Sequence, residues 1–156
     1  MKKLFALLAV SALLLTGCGE KEVSASSDNL PTVTTNQGEA PTIGAPAGNP
    51  PTTLEIKDII VGNGAEALPT STMTVHYTLM TWSNGQLIES SWNGGSPATF
   101  PLANVIVGWQ QGIPGMKVGG RRLLVIPPDL GYGAQGGGPI GPNETLIFVV
   151  DAIGVA

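Results

Sequence analysis

The side chains that could do chemistry are few and far apart. There is one histidine, His76, and one cysteine, Cys18. Zinc sites take several His, Cys or carboxylate ligands, so neither a metal centre nor a cofactor is expected. A lone cysteine has no partner for an internal disulfide. The pair Arg121–Arg122 is the only cationic cluster after residue 3, in a chain of formal charge −4. Phosphate neutralisation needs many cations. Nucleic-acid binding is therefore excluded, and the pair is expected to cover sheet surface. What remains is aromatic. Trp109 sits in "VIVGWQQGIPGMKVGG", residues 105–120, directly after Gly108. Glycine disfavours helix by about 1 kcal/mol relative to alanine. A chain that places its largest apolar side chain on so weak a helix needs that ring in one place. Tyr132 lies in a Gly- and Pro-dominated run, residues 127–144. Structureless loops of that length are usually functional or disordered. This one carries Leu130, Tyr132 and Ile140, which a purely solvated loop does not need.

The elements that must hold these residues begin near Thr52. "TTLEIKDIIVG" (52–62) is strand-like and ends at the turn Gly62–Asn63–Gly64. "TMTVHYTLMTW" (72–82) alternates with period two. Met73, Val75, Tyr77 and Leu79 fall on one face, with Thr74, His76 and Thr78 on the other. "SNGQ" (83–86) signals a hairpin turn and "LIESSW" (87–92) the return strand. "RRLLVI" (121–126) and "TLIFVVDAI" (145–153) read as further strands. One helix is predicted, where Ile106, Trp109 and Ile113 share a face at i, i+3 and i+7. A helix so short is marginal alone and must be held by packing. Trp109 supplies it, since an aromatic ring can bury about 150–250 Å².

The first residues look like an export signal. "MKK" is a charged start and "LFALLAVSALLL" an apolar stretch too short to span a bilayer comfortably. "LTGC" (15–18) then resembles a bacterial lipobox, in which the cysteine is acylated and becomes the new N-terminus. Removing Lys2 and Lys3 from 7 basic groups against 11 acidic ones makes the mature chain more acidic still. Residues 19–51 are rich in Ser, Thr, Pro, Gly and Asn and show no period. A disordered tether is expected there.

"VHYT" (75–78), "ESSW" (89–92), "FPLANVIVGWQQGIPGMKVGGRR" (100–122), "PPDLGYGAQG" (127–136) and "PNETLIFVV" (142–150) occur in one order at close spacing. Together they resemble the FK506-binding-protein (FKBP) family of peptidyl-prolyl cis-trans isomerases, over roughly residues 52–153. The resemblance implies an α+β fold, a twisted antiparallel sheet wrapped around one short helix with a pocket between them. It divides the chain into a lipoprotein signal peptide (1–17), lipidated Cys18 with a flexible linker (18–51) and an isomerase domain (52–156). It places Trp109 at the pocket floor, with Tyr77, Phe100 and Phe148 as walls and Val105 and Ile106 just before the floor. The Ile106 N–H and the Tyr132 hydroxyl would donate to ligand carbonyls, and Ile140 would lie on a flap over the pocket. Glu89 stands where the family generally has aspartate and Ile88 where it has phenylalanine. Ala98 occupies an often aromatic position, and Leu79 replaces a common glycine. The expected partners are X-Pro segments of exported unfolded proteins, FK506-like macrolides, and a membrane reached through the lipid anchor. A monomer outside the cytoplasm is expected.

Rotation about a peptide bond meets a barrier of about 18–20 kcal/mol. X-Pro isomerisation breaks no bond, so it requires no nucleophile. The twisted transition state has less charge separation than the planar amide, and an apolar pocket favours it relative to water. Two alternatives predict something else. One is a binding module or chaperone of the same fold with weak or no catalysis, suggested by Leu79, Ile88, Glu89 and Ala98. The other is an adhesion domain using Trp82 and Trp92 on exposed loops.

Overall fold

The computed structural model describes residues 29–156. Cys18 and the signal segment lie outside the described residues. Six strands form one antiparallel sheet: β1 (Glu55–Ile60), β2 (Thr72–Thr81), β3 (Leu87–Ser90), β4 (Ala98–Pro101), β5 (Arg121–Ile126) and β6 (Leu146–Val155). Their order is β1-β5-β6-β2-β3, and β4 pairs with the first half of β2 on the same edge as β3. One α-helix, α1 (Val107–Gly112), lies against the sheet.

The alternation of β2 places Met73, Val75 and Leu79 in the main core, with Tyr77 packed beside them. The return strand is shorter than its pattern suggests. It stops at Ser90, and Ser91–Gly94 form a 3-10 turn. The Tyr77 N–H donates to Ser91 Oγ at 2.9 Å, so a side chain takes the place of the next ladder bond. The strand β4, "ATFP", is too short to show a period and had no sequence signal.

Glycine's place in α1 has a packing reason. A Cβ on Gly108 would stand 2.5 Å from Ile126 Cγ2, and one on Gly112 would stand 2.7 Å from Leu124 Cδ2. The missing side chains let the helix backbone lie directly on β5, at a cost in helix propensity of about 1 kcal/mol each. Arg122 completes the attachment. It makes a bidentate pair with Asp58 on β1 (2.6 and 3.1 Å) while its Nη1 donates to the Gly112 carbonyl at 2.9 Å. A cation thus sits on the unsatisfied carbonyl end of the helix, where the dipole favours it.

Three expectations require correction. First, Arg121 and Arg122 do not cover open surface; both are buried. Arg121 pairs with Asp151 at 2.7 Å and donates to the carbonyls of Thr34 and Glu39. Second, those carbonyls belong to the segment read as a disordered tether, whose described part, residues 29–51, is held on the sheet. Val33 and Ile43 form a β-bridge. Leu30, Val33 and Ile43 pack on a second core of Met80, Trp82, Leu123, Val125, Ile147 and Val149, on the sheet face away from α1. The cause is the alternate residues of β5 and β6: both faces of these strands are apolar and both need a cover. Third, Trp82 is buried under this strap, its Nε1 donating to the Gly48 carbonyl at 3.2 Å. Trp92 is half-buried and stacks on His76 with centroids 3.9 Å apart. Neither tryptophan stands on an exposed loop, so the surface on which the adhesion reading rests is absent.

Candidate functional site

A cleft of about 410 Å³ opens between α1 and the inner face of the sheet. Its lining brings together residues from six segments: Tyr77 and Leu79 of β2, Glu89 of β3, Phe100 of β4, Asn104, Val105, Ile106 and Trp109 around the start of α1, Tyr132 from the loop after β5, and Phe148 of β6. Trp109 forms the floor and is only 4% exposed. Three rings stand nearly perpendicular to it: Tyr77, Phe100 and Phe148, at centroid distances of 5.8, 6.0 and 5.3 Å from the indole. Edge-to-face pairs of this kind contribute about 0.5–1.5 kcal/mol beyond area burial. They also fix each ring's orientation, so the box is formed before any ligand arrives. The Trp109 Nε1–H is buried without an acceptor among the described residues. Leaving a buried donor unpaired costs about 1–3 kcal/mol, which packing alone does not explain.

Polar groups sit at the rim. The Tyr77 hydroxyl donates to Glu89 Oε1 at 2.6 Å. Its own proton is therefore committed to the carboxylate. Burial first, then the Glu89 hydrogen bond and charge, push the Tyr77 phenol well above its ordinary value of 10.0. A group whose folded pKa is raised contributes stability that is present below the unfolded pKa and lost as pH rises through the folded one. Here that loss begins only above pH 10. An ultraviolet titration is expected to show a tyrosine component still neutral at pH 10.5, and Tyr77→Phe to remove that late component. Besides the Trp109 Nε1–H, the Ile106 N–H and the hydroxyl of Tyr132, which is 42% exposed, are unspent donors at the cleft among the described residues. The Ile106 N–H is free because Ile106 precedes the helix, while its carbonyl already accepts from Trp109 N–H at 2.9 Å.

Of the ten side chains expected from sequence to form the site, eight line the cleft. Ile88 and Ile140 do not. The β2–β3 register shifts between Leu79 and Met80, so Leu87 and Glu89 have partners in β2 and Ile88 has none. Ile88 packs half-buried against the main core. Ile140, expected over the pocket, is 5% exposed and belongs to that core. It pins the loop instead: Gly137 and Ile140 exchange both backbone hydrogen bonds at 2.9 Å, and the Asn143 N–H closes on the Gly133 carbonyl. Two lining residues were not on the expected list. Leu79 follows Tyr77 at spacing two, so the strand period already placed it on that face. Asn104 had no signal.

Outside the cleft, burial pushes the Asp151 carboxyl above its ordinary value, and Arg121 holds it partly back. No group of three or more His, Cys, Asp or Glu side chains able to hold a metal occurs among the described residues. None of the described helices is long and apolar enough to cross a membrane.

The family described as "FKBP-type peptidyl-prolyl cis-trans isomerase" matches residues 64–153. The chain is 50% identical over 115 residues to a protein named "Probable FK506-binding protein" from Corynebacterium glutamicum, covering 74% of this chain and 98% of that one. It is 42% identical over 106 residues to "Outer membrane protein MIP" from Legionella longbeachae, covering 67% of this chain and 45% of that one. Among solved structures it resembles FkpA from Escherichia coli, with a TM-score of 0.63 and 36% identity, over 67% of this chain and 48% of FkpA.

Proposed function

Since the chain belongs to the FKBP-type peptidyl-prolyl cis-trans isomerase family, we propose that it catalyses X-Pro isomerisation in exported proteins at the cell envelope, held there by lipid on Cys18. The observation that carries the catalytic part is the box of Tyr77, Phe100 and Phe148 standing around a buried Trp109. A proline ring fits on the indole between those walls. The Ile106 N–H and the Tyr132 hydroxyl hold the carbonyls on either side of it. Water is displaced from the amide, and the twisted form, with less charge separation, gains relative to the planar one. No group takes or gives a proton, so Glu89 acts on the site by orienting Tyr77. Supporting the envelope part are the lipobox-like "LTGC" and the likeness to the Legionella relative named as an outer membrane protein.

Exchange NMR on a short X-Pro peptide tests the catalytic reading. Cis–trans exchange is expected to speed up at catalytic protein concentration, and Tyr132→Phe to lower kcat/KM by about fivefold, one neutral hydrogen bond's worth. No acceleration at equimolar protein would leave only the binding-module alternative. For the anchor, metabolic palmitate labelling is expected to follow Cys18 and to vanish in Cys18→Ser.

A further inference from the structure

Nine of the ten residues that line the cleft are uncharged; Glu89 alone carries a formal charge. One of its oxygens accepts from Tyr77, and it forms no ion pair among the described residues. It lies on β3, at one edge of the sheet. The described cations are elsewhere. Lys57 is on β1, at the opposite edge, and Lys117 lies between α1 and β5, paired through its backbone with Glu66 and absent from the cleft lining. Arg121 and Arg122 are spent on Asp151 and Asp58. The field at the cleft mouth is thus negative and uncompensated. Its source is one tyrosine length from the floor, because the Tyr77 ring spans from Glu89 to 5.8 Å from the indole centroid.

From this geometry we infer that Glu89 selects, among proline-containing segments, those with Lys or Arg directly beside the proline, and disfavours those with Asp or Glu there. The inference rests on the isomerase reading and names the substrate class of that same cleft. A partly exposed charge pair is modest in energy, but the comparison between a cationic and an anionic neighbour counts attraction and repulsion together.

The test uses peptides that carry Lys, Gln or Glu immediately before, or immediately after, a single proline. Exchange NMR gives kcat/KM, and chemical-shift titration gives Kd, for the wild type and for Glu89→Gln. Glutamine keeps a carbonyl acceptor for the Tyr77 hydroxyl, so the wall stays in place while the charge goes. In at least one placement the wild type is expected to favour Lys over Glu by about three- to tenfold at low ionic strength. The preference should shrink in 0.5 M salt, where screening reaches within about 4–5 Å, and fall to within about twofold of unity in Glu89→Gln. Equal values for Lys and Glu in both placements overturn the inference. So does a preference that survives Glu89→Gln, which assigns it to the net charge of the chain. If the Gln peptide binds but is not turned over, the isomerase reading fails by itself, and the ratio of Kd values still decides the role of Glu89.

Discussion

Trp109→Leu is expected to lower kcat/KM for an X-Pro peptide by at least tenfold while the domain stays folded. The ring pairs with all three walls, at 5.8, 6.0 and 5.3 Å. Leucine keeps an apolar floor but has no flat face for a proline ring and no edge-to-face partners. Losing three aromatic pairs at about 0.5–1.5 kcal/mol each also loosens the walls. A tenfold change in rate corresponds to about 1.4 kcal/mol, so the expected loss lies within reach of those terms. Large-to-small changes at buried aromatics cost about 3–5 kcal/mol when the replacement is alanine. Leucine leaves a smaller hole, and the assay is run well below the melting midpoint with circular dichroism as a check. Trp109→Phe restores an aromatic face and should fall between the two. Activity within twofold of wild type in Trp109→Leu would remove the floor from the mechanism.

Deleting residues 29–51 is expected to make the domain self-associate more strongly and melt on the order of 10 °C lower. The strap is the cover of the outer sheet face. Beneath it Leu123, Val125, Ile147 and Val149 have no exposure, and Trp82 has 6%. Without Leu30, Val33 and Ile43 these side chains and Met80 form one continuous apolar strip. Soluble monomers rarely expose apolar patches beyond a few hundred Å². Arg121 loses two carbonyl acceptors, at 2.9 and 2.7 Å. Hydrogen bonds to charged groups contribute about 1.5–3 kcal/mol each. Ordering the strap opposes these gains through its backbone entropy, so the net shift in melting is moderate, while the exposed strip acts at full size. For a domain of this length about 1 kcal/mol moves the midpoint by roughly 4–8 °C. Sedimentation velocity and a thermal scan on the shortened chain give the answer. A monomer at about 100 µM with an unchanged midpoint would mean that the strap is an ornament of the surface.

The strap also marks where sequence reading runs out. Residues 29–51 make almost no ladder, only the Val33–Ile43 bridge, so no period-two pattern is required of them. Their strongest attachments are the backbone carbonyls of Thr34, Glu39 and Gly48, and any residue type has a carbonyl. The legible clue lay elsewhere. "LLV" in β5 and "LIFVV" in β6 are unbroken apolar runs, and a short unbroken run is the mark of a strand buried on both sides. Such strands demand a second cover, and the only chain long enough to supply it precedes residue 52. The same limit applies to Ile88 and Ile140. The family resemblance put both near the cleft, but a register shift in β3 sets Ile88 against the core and a short braced turn in the loop carries Ile140 into it.

By itself, the sequence determined β2 from its alternation, the other strands except β4 from their apolar composition and turn signals, the one helix from the face shared by Ile106, Trp109 and Ile113, the aromatic character of the site, and the family whose motifs it carries. Each of these is a property of residue type and local spacing, which the chain states directly. Only the tertiary structure decided which face of β5 meets α1, that Gly108 and Gly112 are absent side chains making room for Ile126 and Leu124, that the two arginines are interior ties, and that a Pro-rich leader is part of the domain. Those depend on which surfaces close on one another. Packing, unlike periodicity, is settled between segments far apart in the chain and leaves no regular trace in either of them.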